Sequence, residues 1–302
     1  MKTNEDIREQ IRNDYAKIAA SSTVSRDQLT GDTQSTGSCC CAGACGVTES
    51  IDPGELAERI GYTREELEAL PADANMGLSC GNPTVIAALK PGETILDLGS
   101  GGGFDIFLTG PKVGKTGRAI GVDMTHEMIA KARKNIGHYR HTTGLDNVEF
   151  RLGEIEHLPA ADNSVEVIIS NCVLNLSMDK QQVWNEISRV LKPGGRVAVS
   201  DIALLKPLPA EVKEIVESWA GCVAGAIPVE EMREQMTKAG LSEIKLTPKP
   251  HYVEALTASN DPLYNKVSVL LPDGQSAADF ITSMDIQASK PDGCGCSDGC
   301  CE

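Results

Sequence analysis

The first chemical feature of the sequence is the placement of its eleven cysteines among 302 residues. Three stand alone in the body of the chain, four cluster near the N-terminus and four lie in the last nine residues: Cys80, Cys172 and Cys222; Cys39, Cys40, Cys41 and Cys45; Cys294, Cys296, Cys300 and Cys301. None belongs to a CxxC pair, which disfavours a zinc ribbon or a thioredoxin-type motif. Because the first residues do not resemble a signal peptide, we expect a cytoplasmic protein, where such cysteines indicate metal binding or thiol chemistry.

A glycine-rich turn is the second feature. The run DLGSGGG, residues 97–103, follows directly on an apolar segment, and glycines there let the backbone turn sharply and let a ligand lie against it. Asp123 ends the next apolar run, 22 residues after Gly101, where a carboxylate can bind both hydroxyls of a ribose. The GxGxG spacing departs from the GxGxxG of dinucleotide-binding proteins. Asp97 also suits a cofactor with a positive amino group better than one with a phosphate.

Strands and helices alternate from about residue 83 onwards, a pattern typical of a parallel α/β sheet with helices on both faces. We predict five strands in this part of the chain: Thr94–Leu98, Arg118–Asp123, Val148–Leu152, Val165–Ser170 and Arg196–Ser200. Helices are predicted before, between and after them: 1–20, Pro53–Ile60, Thr63–Leu70, His126–Gly137, Lys180–Leu191, Ala210–Ala226 and Val229–Ala239. Gly110-Pro111 predicts a kink or an early end in the first helix of the sheet region. A further strand is expected near Ile244–Thr247, with one more beyond it.

Composition limits the partners. The formal net charge is 28 − 43 = −15, which disfavours nucleic acids and anionic membranes because both are polyanions. No apolar run approaches the roughly 20 residues of a membrane-spanning helix. The chain is therefore expected to bind small molecules. We also expect it to act as a monomer.

The glycine-rich run resembles motif I of the class I S-adenosylmethionine methyltransferases. Asp123 resembles the acidic ribose-binding residue of that superfamily, and Glu154-Ile155, after the third strand, resembles its adenine-flanking pair. On this basis we assign ten residues to the cofactor: Asp97, Gly99, Ser100, Gly101, Gly103, Asp123, Met124, Glu154, Ile155 and Asn171. An NAD-binding domain and an inactive Rossmann-like domain are the alternatives.

The three isolated cysteines occupy positions where thiol chemistry is plausible. Asn82 and Pro83 form a good helix start, so Cys80 is expected close to a helix N-terminus, where the dipole favours a thiolate. Cys172 follows the fourth strand, at the ligand-binding edge of an open α/β sheet. Cys222 lies in a segment rich in small residues. Each of them alone could equally be a buried small hydrophobe.

Three segments resemble the arsenite S-adenosylmethionine methyltransferases: IGY to GNP at residues 60–83, SNCVLN at 170–175 and WAGC at 219–222. The resemblance covers about residues 50–250. It implies that Cys80, Cys172 and Cys222 bind trivalent arsenic, and that an N-terminal cysteine takes part in disulfide exchange. We choose Cys45 for this last role, with Cys39, Cys40 and Cys41 left open.

The implied chemistry agrees with the residues. Trivalent arsenic is thiophilic, and soft metals select thiolate ligands. Its lone pair is a nucleophile for a sulfonium methyl group, so no general base is needed. Methyl transfer oxidises the arsenic, and a cysteine pair can return two electrons by forming a disulfide that an external thiol of the glutathione or thioredoxin type then reduces. The expected role is arsenic biotransformation and detoxification.

Two other functions remain open at this point. One is a C- or O-methyltransferase for a quinone or sterol, with inert cysteines. Such an enzyme needs a large apolar pocket, which the low aromatic content of 4% disfavours. The other is a thiol-based metalloid-binding protein without enzymatic activity, which the cofactor motifs disfavour.

The expected fold is α/β, a Rossmann-like class I methyltransferase sheet flanked by helices, with an N-terminal helical segment and a smaller C-terminal α+β region. We divide the chain into four parts: residues 1–75, helices and a Cys-rich loop; 76–205, the cofactor-binding domain; 206–285, the arsenic-binding and C-terminal region; and 286–302, a disordered Cys-rich tail.

Overall fold

A computed structural model describes residues 3–20, 53–71, 73–210, 212, 223–250, 253, 269–272 and 274–292. Seven strands form its sheet: β1 Thr94–Leu98, β2 Arg118–Asp123, β3 Val148–Leu152, β4 Val165–Asn171, β5 Leu191–Leu204, β6 Ser242–Lys249 and β7 Ile281–Ser289. Eight α-helices accompany them within these residues: α1 Asn4–Ala20, α2 Pro53–Arg59, α3 Arg64–Glu68, α4 Pro83–Ile86, α5 Phe104–Val113, α6 His126–Thr143, α7 Lys180–Val190 and α8 Val229–Lys238.

The strand order is β3-β2-β1-β4-β5-β7-β6. Strands β1 to β5 pair in parallel, whereas β7 lies antiparallel between β5 and β6. Leu98, the last residue of β1, pairs with Val122 of β2 and with Ser170 of β4. The carboxyl ends of these strands therefore meet at one edge of the sheet, where ligands bind in open α/β folds.

Apolar side chains on both faces of the sheet explain why its strands are so hydrophobic. On one face, Leu96 and Ile168 pack with Trp184 of α7 in a cluster that extends to the C-terminal strands. On the other, Ile95 packs with Val113 of α5. Every one of these side chains is at most 2% exposed, so the two layers hold the strand ends in place.

The helix-start signals near the N-terminus are confirmed. Thr63 caps α3, and its hydroxyl and the Glu66 side chain form the reciprocal bonds of a capping box. Asn82 caps α4, with Pro83 as its first residue. The Asn82 cap fixes the end of the segment that carries Cys80.

Several boundaries differ from the sequence predictions. Helix α5 continues through Pro111 and ends two residues later, rather than stopping at the proline. Strand β5 begins at Leu191, directly after α7, so the glycines at 194 and 195 lie within a strand. Strand β7 runs to Ser289, past the boundary of 286 drawn for the tail, and with β6 it belongs to the same sheet as the cofactor-binding strands. The predicted loop at 21–50, most of the predicted helix at 210–226 and the cysteines of the tail lie outside the described residues.

Within the described part of the chain, no helix has the length and apolar character needed to cross a membrane.

Candidate active site

The glycine-rich turn connects β1 to α5 and is shaped by its contacts with the neighbouring strands. The backbone N–H groups of Gly99 and Ser100 both donate to the carbonyl of Val122 in β2, at 2.8 and 2.9 Å. Gly99 has a φ of +71°, and a Cβ placed on it would lie 2.3 Å from a methyl carbon of Val173. Gly103, also in the left-handed region, is the N-cap of α5. The turn therefore requires glycine for both conformation and close approach.

Asp123 faces this turn from the end of β2. One of its carboxylate oxygens accepts the N–H of Gly101 at 2.9 Å, and the other accepts the N–H of Thr125 at 2.8 Å. Burial raises the pKa of Asp123 and these hydrogen bonds lower it, with burial the larger effect. The carboxylate is thereby held in one orientation, with lone pairs left for the hydroxyls of a ribose.

A cleft of about 1040 Å³, counted out to open solvent, lies along this edge of the sheet. Eight of the ten residues assigned to the cofactor line it: Asp97, Gly99, Ser100, Gly101, Asp123, Met124, Ile155 and Asn171. Gly103 and Glu154 are not part of the lining. Gly103 instead makes room for the rings behind the turn, since a Cβ there would lie 2.7 Å from Phe107 and from Phe150.

The acidic residue after β3 that faces the cleft is Glu156, not Glu154. Glu156 is buried and accepts a hydrogen bond from the Ser177 hydroxyl at 2.6 Å. Glu154 forms an ion pair with Arg12 of α1 at 3.0 Å. The sequence shows no periodicity here that could have distinguished the two, because the chain bends directly after the strand.

Sequence reasoning also missed the part of the cleft wall that α1 and the loop before α4 contribute. Arg8 and Tyr15 of α1 line the cleft, as does Met76. The apolar stripe of α1 predicts that this helix packs on the body, and Ile11 and Ile18 are buried accordingly. The stripe alone does not show that the helix covers the cofactor edge.

Three carboxylates give the cleft a strongly acidic floor. Asp97 is 3% exposed, and burial followed by the charges of Asp105 and Asp123 raises its pKa well above the ordinary value. Burial also raises the pKa of Asp105 to about 6, against hydrogen bonds from Tyr62 and Asn171 that lower it. A cation bound here would relieve this mutual repulsion. The donor set therefore fits the ammonium and sulfonium groups of S-adenosylmethionine, while Asp123 fits its ribose.

Cys80 and Cys172 meet at the inner wall of this cleft. They are 92 residues apart in sequence and joined by a disulfide, with their Cα atoms 6.0 Å apart. Both are buried, and Cys172 lines the cleft. Cys172 has a φ of +58°, an uncommon conformation for a residue other than glycine, and its N–H donates to the carbonyl of Ser200 in β5. The cleft thus places sulfur directly beside the residues assigned to the cofactor.

Asp201 is a buried acidic residue near these two sulfurs that sequence reasoning did not identify. A carboxylate oxygen of Asp201 and the sulfurs of Cys80 and Cys172 all lie within 4.8 Å of one another. Burial raises the pKa of Asp201 to about 7, although the N–H groups of Ile202 and Asn175 donate to it. Asp201 lies in the middle of an apolar strand pattern, so nothing in the local sequence distinguishes it from a solvated strand residue.

Cys222 and Cys45 lie outside the described residues. The segment that follows Cys222 is described, and Val223 packs against the cluster that contains Cys80 and Cys172. Gly225 lies so close to Asn175 that a Cβ would come within 1.9 Å of the Asn175 carbonyl oxygen. Residues 223–225 are therefore held against the loop that carries Cys172.

The strand order, the glycine-rich turn and the acidic cleft define a class I methyltransferase that uses S-adenosylmethionine. A family model described as a methyltransferase domain matches residues 89–248. The chain is 45% identical to an arsenite methyltransferase of Halobacterium salinarum over 287 residues, which cover 95% of this chain and 67% of that protein. The chain belongs to the arsenite methyltransferase family.

Other relatives match over a shorter length. The human arsenite methyltransferase is 38% identical over 50% of this chain and 42% of its own length, so the chain spans less than half of that protein. Among solved structures, an arsenic(III) S-adenosylmethionine methyltransferase of Chlamydomonas reinhardtii has a TM-score of 0.54 at 28% identity, covering 81% of this chain and 75% of that one. A phosphoethanolamine N-methyltransferase of Haemonchus contortus, in complex with S-adenosyl-L-methionine, is similar in fold, with a TM-score of 0.56 at 19% identity.

Proposed function

We propose that this enzyme transfers the methyl group of S-adenosylmethionine to trivalent arsenic held by the thiolates of Cys80, Cys172 and Cys222. The substrate follows the names of its relatives, among them the arsenite methyltransferase of Halobacterium salinarum. Arsenite is the first acceptor and methylarsenite the second. The physiological role would be the biotransformation and detoxification of arsenic.

One observation carries the proposal: two cysteines 92 residues apart meet at the wall of a cofactor cleft. A buried disulfide alone could be structural. Here one of the two sulfur-bearing residues lines the same cleft as Asp97 and Asn171, so a thiophilic atom bound between the sulfurs lies next to the cofactor. Soft thiolate ligands select such atoms over the hard cations that carboxylates prefer.

A third thiolate is supplied by Cys222 in this proposal. The support is the packing of the residues that follow it: Val223, Ala224 and Ala226 pack against the cluster of Cys80 and Cys172. The close approach of Gly225 to Asn175 ties this segment to the loop after β4. Three sulfurs on one side of the arsenic would leave its lone pair on the other.

The protein contributes mainly position. The bound cofactor supplies an electrophilic methyl group, for which the arsenic lone pair is the nucleophile. Asp97, Asp105 and Asp123 would hold the cationic and ribose parts of the cofactor, and the cysteines would hold the acceptor. Holding two reactants in contact geometry can be worth several kcal/mol.

The disulfide is the oxidised form of the site and must be reduced before arsenic binds. Two external thiols would reduce it to two cysteine thiols and leave as their own disulfide. After methyl transfer the arsenic has lost two electrons, and a cysteine pair returns them by forming a new disulfide. We assign Cys45 to this exchange, with an external reductant of the glutathione or thioredoxin type closing the cycle.

The test is an incubation of the reduced chain with methyl-labelled S-adenosylmethionine, sodium arsenite and a dithiol. We expect labelled methylated arsenic from the parent chain. In C80S, C172S and C222S the rate of arsenic methylation should fall about a hundredfold or more, because losing a residue that merely hydrogen-bonds to a metal ligand already lowers affinity or activity ten- to hundredfold. C301S, a matched substitution outside the proposed site, should retain the activity. Cofactor affinity, measured by calorimetry, should change less than twofold in C80S.

Two results would overturn the proposal. One is methylation at the parental rate in all three cysteine variants. The other is methyl transfer to a quinone acceptor with none to arsenite, which would make the cysteines inert.

A further inference from the structure

Tyr62 is a buried residue whose hydroxyl makes hydrogen bonds but has no part in the proposed methyl transfer. It lies between α2 and α3, is 3% exposed, and its ring packs edge-on against Phe104 with centroids 4.8 Å apart. Its hydroxyl donates to the Asp105 carboxylate at 2.7 Å and accepts from the Asn171 amide at 3.2 Å. Burial, and then the charge of Asp105, raises the pKa of Tyr62 well above its ordinary value, so the hydroxyl remains a donor.

The Asn171 side chain fixes the loop that carries Cys80. Its carbonyl oxygen accepts the N–H of Cys80 at 3.0 Å, and its amide nitrogen donates to the carbonyl of Gly81 at 2.8 Å. This pair of bonds holds a stretch of loop backbone as a neighbouring strand would. Asn171 is also the residue before Cys172, so one amide connects the surroundings of both sulfurs.

The amide nitrogen of Asn171 has more acceptors than hydrogens. It carries two hydrogens, and three acceptors lie near it: the Gly81 carbonyl at 2.8 Å, the Tyr62 hydroxyl at 3.2 Å and the Asp105 carboxylate at 3.4 Å. The hydroxyl of Tyr62 donates a strong hydrogen bond to the Asp105 carboxylate. Without it, the charged carboxylate would compete with the Gly81 carbonyl for the amide.

We propose that Tyr62 is a positioning residue for the metalloid site: it orients the Asn171 amide, which in turn fixes the Cys80 backbone so that its thiol faces that of Cys172. Tyr62 is not part of the cleft lining, so it acts through Asn171 rather than on a ligand. The inference deepens the proposed function and rests on it, since it concerns the same arsenic-binding thiols.

The test compares Y62F with the parent chain, both reduced and titrated with sodium arsenite in a calorimeter. Y62F retains the ring and removes only the hydroxyl. We expect arsenite to bind about three- to tenfold more weakly, the change that one hydrogen bond of ordinary strength produces. The circular dichroism spectrum of Y62F should match that of the parent chain, which a general loss of structure would not allow.

Tyr139 offers a matched control. It is 2% exposed, and its hydroxyl donates to the Asn147 side chain at 2.6 Å, among residues that do not line the cleft. Y139F therefore removes a buried tyrosine hydroxyl of the same kind. Arsenite affinity should stay at the parental value in Y139F, so a weakening equal to that of Y62F would overturn the inference.

N171S provides a second, independent test because it removes both amide contacts to the loop and leaves the Tyr62–Asp105 bond intact. It should weaken arsenite binding at least as much as Y62F. The double variant should bind arsenite no more weakly than N171S alone, since the effect of Tyr62 on the Cys80 loop passes through this amide. Unchanged arsenite affinity in N171S overturns the inference, even if Y62F fails to fold.

The outcomes distinguish a failure of the proposed function from a failure of the inference about Tyr62. If the parent chain and C80S bind arsenite equally well, the proposed function itself fails. If the parent chain binds arsenite through Cys80 and Y62F binds it equally tightly, the inference about Tyr62 alone is wrong.

Discussion

The cleft has two halves that are held by different kinds of contact. The cofactor half consists of the glycine-rich turn and Asp123, and the sulfur half consists of the loops that carry Cys80 and Cys172. On the cofactor half, backbone groups take part in each of these hydrogen bonds. The N–H groups of Gly99 and Ser100 donate to the Val122 carbonyl, and the Asp123 carboxylate accepts two backbone N–H groups. On the sulfur half, side chains rather than backbone pairing hold the Cys80 loop. Asn171 binds the N–H of Cys80, and the Ser283 hydroxyl donates to the Cys80 carbonyl at 2.8 Å.

This difference has a consequence for tolerance to change. A turn made by backbone groups depends on its conformation. Few of its side chains are therefore essential, whereas its glycines cannot be replaced without strain. A loop held by side chains depends on polar residues far away in sequence, each of which can move the sulfur. Substitutions should therefore act on the cofactor half mainly through backbone strain and on the sulfur half mainly through lost hydrogen bonds.

The largest effect is expected from G99A, where the two halves touch. A side chain at a φ of +71° costs about 1–2 kcal/mol, and its Cβ would also overlap Val173, the residue after Cys172. We expect a total loss of about 2–4 kcal/mol in the free energy of unfolding, measured with urea. G144A is the control: Gly144 is in the left-handed region with a φ of +69°, and nothing lies within 4 Å of the new Cβ, so only the conformational cost should appear. Equal losses in both variants would show that the two halves are not in steric contact.

A smaller effect, about tenfold, is expected in the pH dependence of cofactor binding. The Asp105 pKa is raised to about 6, so this carboxyl is neutral at pH 5 and ionised at pH 7. The affinity for S-adenosylmethionine should therefore rise as the pH increases through about 6, because a cation gains from the ionised group. S-adenosylhomocysteine, which lacks the sulfonium charge, should gain less. Calorimetry at both pH values checks this, with D105N as the variant in which the difference should shrink; identical profiles for the two ligands would contradict an electrostatic role.

The smallest effect is expected from E154Q. Its ion pair with Arg12 is about one third exposed on both sides, and such pairs contribute about 0–1 kcal/mol. Cofactor affinity should change less than twofold in E154Q and about three- to tenfold in E156Q, because Glu156 lines the cleft and is buried. The reverse order would support Glu154 in the adenine-flanking role that the family resemblance implies.

The same contrast explains what could be predicted from the sequence. Strands β1 to β3 begin and end where their apolar runs predict, and the class I fold and its glycine-rich turn are confirmed, because these features are encoded locally. The choice between Glu154 and Glu156 depends on a bend after β3 that leaves no periodic signal. The roles of Tyr62 and Ser283 depend on contacts across 109 and 203 residues, which no local pattern contains.

Strand β7 carries a contact of the sulfur half that is translated later than the cofactor half. The strands that carry the cofactor half, β1 to β4, all precede β7 in the sequence. The Cys80 carbonyl obtains its partner only when Ser283 has been translated and β7 has inserted between β5 and β6. The residues of the nucleotide cleft are thus translated well before the Ser283 hydroxyl that holds the Cys80 loop, and a contact of such long range adds to the loop-closure cost of folding.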